Sequence, residues 1–148
     1  MDEKDKITAL SFDEVYIAHD ICFDRVNEKV IGPHKTVQVV MARGLIAKWK
    51  QPIFYAYDTP MTKSILEEII SKLYYRGYYV VSVTSDMGTS NVGLWKSMAI
   101  THNSSSFPHP TTGRAVHVFA DVPHLIKLLR NHFIDHGFLM LKDINAKK

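Results

Sequence analysis

The 148-residue sequence is short of cysteine and of long apolar runs, and each shortage excludes a class of protein. Cys22 is its one cysteine, so an internal disulfide framework and a cysteine-rich zinc site are both excluded. Such a low cysteine content fits a reducing, intracellular compartment. No apolar run approaches the roughly 18 residues that a membrane-spanning helix needs, and the charged start MDEKDK lacks the apolar core of a signal peptide. We therefore expect a soluble intracellular domain with no membrane partner.

A strong net charge is also missing, since the formal charge is only +3. A mildly basic chain permits a nucleic-acid partner but does not require one. The sequence contains no internal repeat and no low-complexity segment, and 46% of its residues are hydrophobic. A chain of this length and composition builds one ordinary core. We therefore predict a single domain over residues 1–148, with an ordered core from residue 6 to residue 138 and a tail over residues 139–148.

The first third of the chain has the pattern of a β-meander. Apolar residues fall on both sides of a two-residue repeat in KITALSFDEVYIAH, residues 6–19, as in a strand that is covered on both faces. Residues 20–32 suggest a short strand and a turn. Two further strands are predicted in KTVQVVMARGLIA and QPIFYAYD, with the turn KWKQP between them. Consecutive strands joined in this way favour antiparallel pairing.

The rest of the chain alternates strands with helices. Residues 59–78 carry apolar residues at helical spacing, with Thr59 as the predicted N-cap before Pro60 and Gly77 as the stop. A strand, YYVVSVTSD, a short helix, the polar loop THNSSSFPHPTTG, the strand RAVHVFAD and an amphipathic helix then follow. The order β-β-β-α-β-α-β-α predicts an α/β fold with a mixed sheet that is flanked by helices.

Acidic residues occupy strand positions where a charge is difficult to accommodate. Asp13 and Glu14 lie side by side within the first strand, and Asp86 ends the strand after the first helix. A right-handed crossover would make these strands parallel neighbours, so Asp13 and Asp86 would meet near the carboxyl ends of the strands, where open sheets bind ligands. Mg²⁺ or Mn²⁺ would neutralise the pair, with Glu14 on the opposite face. The alternative is a solvent-facing Asp13 and an Asp86 that caps a turn.

Three runs of the sequence carry a similarity to a known family: LSFDEVYIAHDICFD, YYVVSVTSDMGTSNVGLWK and HVFADVPHLIKLLRNHF. They resemble the RNase H-like catalytic domain of the P element-type transposases and their THAP-domain relatives, from about residue 8 to about residue 138. The resemblance implies an RNase H-like fold with an acidic triad that binds two Mg²⁺ ions. In that family the triad directs water or a 3′-hydroxyl at a DNA phosphodiester. Asp13 matches the first aspartate of the triad, and Asp86 matches the second.

The resemblance also implies what the rest of such a protein contains. The third acid of the family is a glutamate that follows an inserted GTP-binding domain, and no part of this sequence matches that portion. The chain is therefore expected to be the N-terminal part of the catalytic domain, truncated before the insertion, and inactive in strand transfer by itself. For the intact protein the resemblance implies a nuclear, GTP-dependent transposase that binds transposon ends and target DNA and can form homo-oligomers.

Two other functions remain open from the sequence. One is a non-enzymatic scaffold of RNase H-like fold that binds DNA or protein. The other is a free-standing RNase H-type nuclease, which needs a third acid within the chain. Asp121, just before Pro123, is a candidate for that acid or else a helix N-cap; Asp135 is a second candidate or else a surface charge. His117 shares a strand face with Asp121 and would either bond to it or pack in the core.

A small basic cluster at one predicted turn suggests a place where DNA is held. Lys48, Trp49 and Lys50, with Arg43 nearby, combine positive charge with an aromatic ring. Such a combination grips a phosphate backbone or stacks an unpaired base. The alternative is a hairpin tip with solvated lysines.

Overall fold

The computed structural model describes residues 2–137, which form an α/β fold with a mixed sheet and three helices. Six strands form the main sheet in the order β5-β4-β1-β6-β8-β7, and β2 and β3 form a separate hairpin. The strands are β1 (Ile7–Tyr16), β2 (Cys22–Asp24), β3 (Lys29–Ile31), β4 (Thr36–Gly44), β5 (Lys50–Tyr57), β6 (Tyr79–Ser85), β7 (Ser106–Pro108) and β8 (Ala115–Ala120). The helices are α1 (Lys63–Tyr75), α2 (Thr89–Ser97) and α3 (Val122–His136), and a 3₁₀ turn spans Glu3–Lys6. The predicted tail, residues 139–148, lies outside the described residues.

The sheet joins an antiparallel meander to a parallel half. β1 pairs antiparallel with β4, and β4 pairs antiparallel with β5, as the sequence pattern predicted. β6 then lies parallel to β1 on its other side, and β8 lies parallel to β6. The predicted crossover from the meander through α1 to a parallel neighbour of β1 is therefore confirmed. It brings the carboxyl ends of β1, β6 and β8 to one edge of the sheet.

A β-bulge interrupts the pairing of β1 with β6. Thr8 lies opposite Val80, whereas Ala9 lies opposite Ser82, so Val81 is an extra residue in β6. From Ala9 onwards the register is regular and ends with Phe12 opposite Ser85. The bulge thus sets which residues of β1 and β6 are neighbours at the carboxyl edge.

The core lies between one face of the sheet and the helices α1 and α2. Trp95 of α2 packs on Phe12 of β1 with a ring-centroid distance of 5.8 Å, and its indole N–H donates to the Ser85 hydroxyl at 3.0 Å. The buried apolar cluster contains Leu10, Phe12, Val40, Ala42, Met61, Leu66, Ile69, Ile70, Leu73, Val80, Val83, Leu94, Trp95, Met98, Phe107 and Val116. Burial of this apolar surface is the main stabilising contribution to the fold.

Helix α1 begins later than the sequence pattern predicted. Its N-cap is Thr62, whose hydroxyl accepts the backbone N–H of Ile65 at 3.3 Å. The predicted N-cap at Thr59 is wrong, because the Thr59 hydroxyl donates to the Tyr57 carbonyl at 2.8 Å. The predicted stop is confirmed: the helix ends just before Gly77, whose φ of 84° is in the left-handed region that favours glycine.

Two short elements differ from the sequence-based prediction. Residues 20–32 form a hairpin of two three-residue strands rather than one short strand and a turn. The predicted polar loop contains β7, which pairs antiparallel with β8 at the edge of the sheet. Strands of three residues are too short to show a repeat in the sequence, and Pro108 is tolerated because β7 is an edge strand.

Helix α3 forms where it was predicted, but it buries none of its residues in the described structure. Several of its apolar side chains are exposed instead, with Leu129 at 57% and Ile134 at 68% of full exposure. The apolar stripe that predicted an amphipathic helix is therefore present without a covering layer among residues 2–137. None of the described helices combines the length and apolar character that a membrane crossing requires.

Candidate metal centre

Three carboxylates follow one another along the carboxyl edge of the parallel strands. Phe12 in β1 lies opposite Ser85 in β6, and Ser85 lies opposite Ala120 in β8. The next residue on each of these strands is an aspartate: Asp13, Asp86 and Asp121. Neighbouring strands lie about 4.8 Å apart, so Asp13 and Asp86 occupy adjacent positions, with Asp121 one strand further away.

Asp13 is fixed through its backbone while its carboxylate faces outward. Its carbonyl oxygen accepts the buried side-chain amide of Gln38 at 3.0 Å, and its Oδ1 accepts the Glu14 N–H at 2.8 Å. The ladder places Asp13 opposite Val39 and Glu14 opposite Gln38. Successive strand residues alternate between faces, so Glu14 lies on the face opposite to Asp13, as predicted from the sequence.

Asp86 is held by the first turn of α2. Its Oδ1 accepts the Gly88 N–H at 3.1 Å and the side-chain amide of Asn91 at 2.5 Å. Asn91 is buried, and a Cβ on Gly88 would lie 3.2 Å from the same Oδ1. Sequence reasoning considered a turn-capping role for Asp86 but overlooked Asn91. The signal available was an amide five residues after the strand-end acid, in the first turn of a helix.

No basic side chain within residues 2–137 forms an ion pair with Asp13 or Asp86; the ion pairs of the described chain join other residues. In the same range, no three histidine, cysteine or acidic side chains come together as a metal-binding cluster. The edge therefore offers two neighbouring carboxylates whose charges are not balanced by protein cations. Two carboxylates of this kind suit a divalent cation with oxygen ligands, and no third side chain clusters with them among residues 2–137.

Asp121 occupies the N-cap position of α3, but its side chain makes no capping hydrogen bond in the described structure. Its backbone instead joins strand to helix: the N–H donates to the Ser85 carbonyl at 2.8 Å, and the carbonyl accepts the Leu125 N–H at 3.0 Å. No hydrogen bond between His117 and Asp121 occurs among residues 2–137, so the sequence-based pair is not formed there. Within the described range, the Asp121 carboxylate has no ion-pair partner.

The sequence and the fold of this chain are both similar to those of known proteins. Residues 1–99 match the family described as TNP-like, RNase H N-terminal domain. The chain belongs to this family. The chain is also 40% identical over 149 aligned residues to the transposable element P transposase of Drosophila melanogaster, and it covers 19% of that protein. The structure resembles the Drosophila P element transposase strand transfer complex with a TM-score of 0.85 and 39% identity, over 93% of this chain and 33% of that one.

This RNase H N-terminal domain therefore has the RNase H-like fold that the sequence resemblance implied. The chain spans about a fifth of the length of its Drosophila relative. The match of the three sequence runs to P element-type transposases is confirmed as a family relationship. These similarities concern the chain as a whole and assign no role to an individual residue.

The predicted DNA-contact cluster of this domain lies at the other end of the sheet. Gly44, next to Arg43 in β4, pairs with Thr8 near the start of β1, roughly 17 Å along the strand from Asp13. Trp49 is not a free stacking surface, because its indole N–H donates to the Asp5 carbonyl at 3.0 Å and its ring packs on Tyr78 at 5.4 Å. Arg43, Lys48 and Lys50 are exposed, and DNA contact by this cluster stays a prediction.

One further carboxylate near the carboxyl end of β1 has a structural role. Asp58, just after β5, accepts the N–H groups of Lys35 and Thr36 at 2.8 and 3.0 Å and contacts the His34 ring at 2.8 Å. These hydrogen bonds, that from Thr36 foremost, lower the pKa of Asp58 to about 2. The His34 ring also stacks on Tyr57 at 4.3 Å. The group ties the start of β4 to the end of β5.

Proposed function

We propose that this chain is the first part of the catalytic domain of a cut-and-paste DNA transposase, in which Asp13 and Asp86 are metal ligands. The observation that carries the proposal is the strand register, which makes the residues after Phe12 and Ser85 neighbours across two parallel strands. The family and the similarity to a P element transposase complex support the same conclusion. DNA, as transposon end and as target, is then the substrate of the intact protein.

The two carboxylates fit a divalent ion such as Mg²⁺ or Mn²⁺. On each residue, Oδ1 accepts the described hydrogen bonds, and Oδ2 accepts none among residues 2–137. Oxygen ligands without thiolates or imidazoles favour Mg²⁺ and Mn²⁺ over zinc. When bound, a pair of such ions activates the attacking water or 3′-hydroxyl and offsets charge on the leaving oxygen of the phosphodiester.

The protein's own contribution is to hold the carboxylates in place. Asp13 sits on a strand that is hydrogen-bonded on both sides, to β4 and to β6, so its backbone is fixed. Asp86 has one oxygen fixed by Gly88 and Asn91, so its rotamer is set before any ligand arrives. Rigid placement of this kind is what a phosphoryl-transfer site needs, because positioning and charge stabilisation supply most of the rate.

We infer that the site is completed by residues outside this chain. The resemblance to P element-type transposases assigns the third acid to a glutamate beyond an inserted GTP-binding domain, a portion that residues 1–148 do not match. The isolated chain is accordingly inactive in strand transfer, and Asp121 becomes the substitute to test first. The intact protein would be nuclear, GTP-dependent and able to form homo-oligomers. A two-ligand site binds metal weakly, with a dissociation constant at about the millimolar level.

The test is Mn²⁺-induced paramagnetic broadening of the amide signals of the 148-residue chain. Broadening should be strongest at the ends of β1 and β6, and Asp13→Asn should reduce it at least about fivefold. Glu14→Gln is the matched control, because it removes the same charge from the neighbouring residue on the opposite face. Equal broadening in the wild type and in the Asp13→Asn/Asp86→Asn double variant would overturn the metal assignment.

The second candidate is a non-enzymatic scaffold that binds DNA or protein. It is favoured by the lack of a third metal-binding side chain within residues 2–137. Asp13→Ala in the intact protein separates the two functions. If Asp13 is catalytic, transposition is lost while the fold and the expression level are unchanged. If the chain is a scaffold, its binding of DNA or protein is unaffected by the substitution.

A further inference from the structure

A second concave site lies at the opposite edge of the sheet, where β1, β6 and β8 begin. It is an open cavity of about 720 Å³ between the 3₁₀ turn, the end of α1 and the loop that joins β7 to β8. Its lining residues are Glu3, Lys4, Ile7, Tyr74, Tyr79, Val80, Val81, His109, Thr112, Arg114 and Ala115. The candidate metal centre shares none of these residues.

His109 in this cavity carries a buried donor without a partner. The residue is only 5% exposed, and its Nδ1 accepts the N–H groups of Thr111 and Thr112 at 3.1 and 3.3 Å. Burial lowers the pKa of His109. A neutral ring whose Nδ1 is an acceptor carries its proton on Nε2, and that Nε2 is buried with no hydrogen-bond partner among residues 2–137. Unpartnered buried donors are uncommon and destabilising.

Two cations lie at the rim of the same cavity. Lys4 and Arg114 are both exposed, and neither forms an ion pair within the described part of the chain. Glu3 is the one acidic residue in the lining, so the lining has a net positive charge. The lining also has an apolar part, which includes Ile7, Val80 and the rings of Tyr74 and Tyr79. Two cations without ion-pair partners among residues 2–137 and a buried N–H donor, all lining one cavity, are the features of a site for an anion with several acceptor oxygens.

We propose that this cavity binds a phosphate group, with Arg114 and Lys4 as its cationic contacts and the His109 Nε2–H as a neutral donor. A phosphate group fits because its non-bridging oxygens, two in a phosphodiester and three in a monoester, can together accept hydrogen bonds from three separate donors. The source we favour is the backbone of DNA. Ile7 and Asp13 are six residues apart on β1, which is roughly 20 Å, or about six nucleotide steps of a DNA strand. The proposal does not depend on metal binding at the other edge.

The simpler explanation is that His109 only stabilises the loop before β8, by accepting hydrogen bonds at Nδ1. One substitution separates this structural role from donation to a phosphate by Nε2. Asparagine at position 109 can still place an oxygen where Nδ1 accepts the two threonine N–H groups, but it has no counterpart of Nε2. His109→Asn should therefore retain the loop and lose the donor. Arg114→Gln changes an exposed side chain and tests the cationic contact without touching the loop's hydrogen bonds through His109.

The experiment titrates the 148-residue chain with inorganic phosphate and, separately, with a fluorescently labelled DNA duplex of about 15 base pairs. We expect the His109 ring signals to shift with phosphate. DNA affinity should fall about three- to tenfold in Arg114→Gln and about threefold in His109→Asn, with a salt dependence reduced by about one phosphate contact in Arg114→Gln. Lys96→Gln on α2 is the matched control and should leave both affinities unchanged.

Each outcome decides the matter. Weakening by Arg114→Gln with DNA alone assigns the site to the DNA backbone, and weakening with inorganic phosphate alone assigns it to a free phosphate ester. If His109→Asn does not fold, Arg114→Gln carries the test. The proposal is overturned if neither probe shifts the His109 signals, or if Arg114→Gln and Lys96→Gln bind both probes as the wild type does.

Discussion

The most informative single substitution is Asn91→Ala, because it loosens Asp86 without removing a proposed metal ligand. In the wild type the Asn91 side-chain amide donates to Asp86 Oδ1 at 2.5 Å, and the Gly88 N–H donates to the same atom at 3.1 Å. Asn91 is buried in α2, so its amide is held in place by the core. Alanine removes this donor and leaves the Gly88 contact, so Asp86 keeps its charge but loses its fixed rotamer.

The expected magnitude follows from the strength of that hydrogen bond. A hydrogen bond to a charged group contributes about 1.5–3 kcal/mol net, and the loss of a residue that orients a metal ligand lowers metal affinity about 10- to 100-fold. Since the Gly88 contact remains, we expect the lower end, about a tenfold loss of Mn²⁺ affinity. The free energy of unfolding should fall by about 1.5 kcal/mol, the lower end of that range, so the chain remains folded.

Mn²⁺ affinity is measured by water-proton relaxation enhancement, with folding monitored by circular dichroism and urea unfolding. Asn103→Ala, in the exposed loop after α2, is the control for loss of an amide with no bond to Asp86. The Asp86→Asn variant, which lacks one proposed ligand, gives the lowest Mn²⁺ affinity expected in the assay. An Asn91→Ala affinity within twofold of the wild type, in a folded protein, would refute the argument that the α2 amide positions the carboxylate.

Three further predictions concern the core, the sheet edge and the turn before α2. Leu66 is fully buried in α1, so Leu66→Ala should lower the free energy of unfolding, measured by urea titration, by about 2–5 kcal/mol. The control is Leu45→Ala at an exposed position, which should change that free energy by less than about 1 kcal/mol. Asp58 has a folded pKa of about 2, below the ordinary value of 3.8 for an aspartate. Its stabilisation is therefore present above about pH 4 and is lost as the pH falls towards 2, and Asp58→Asn should flatten that part of the profile of stability against pH. Gly88→Ala places a Cβ 3.2 Å from Asp86 Oδ1. We therefore expect weaker Mn²⁺ binding with an unchanged urea midpoint. An unaltered Mn²⁺ affinity would contradict the tight packing of Gly88 against Asp86.

Much of the fold was predictable because it depends on element order and hydrophobic period. The meander, the crossover to a parallel β6 and the position of α3 follow from patterns that extend over eight or more residues. The start of α1 was not predictable to the residue, since Thr59 and Thr62 are both good caps and only the tertiary structure selects Thr62. β7 escaped prediction because three residues show no period.

The site was predictable in part for a different reason. Asp13 and Asp86 stand out as charges at the ends of apolar strands, and that signal is local. Asn91 carries no such signal, because a polar residue in the first turn of a short helix is common. Trp49 suggested base stacking from its lysine neighbours, but its contacts with Asp5 and Tyr78 depend on chain segments far away in sequence.

The bulge at Val81 has a consequence for how this domain tolerates change. If Val81 paired with Ala9 instead of bulging out, the register that starts with Ile7 opposite Tyr79 would bring Asp13 beside Ser85 and Glu14 beside Asp86. A single inserted residue therefore decides which acids are juxtaposed. Substituting Val81 should be mild, and deleting it would remove the bulge but leave Ala9 opposite Ser82 and Asp13 beside Asp86. Deleting a residue from the regular part of β6, between Ser82 and Ser85, would instead shift Asp86 by one position relative to Asp13, which would damage the site more than most replacements within it.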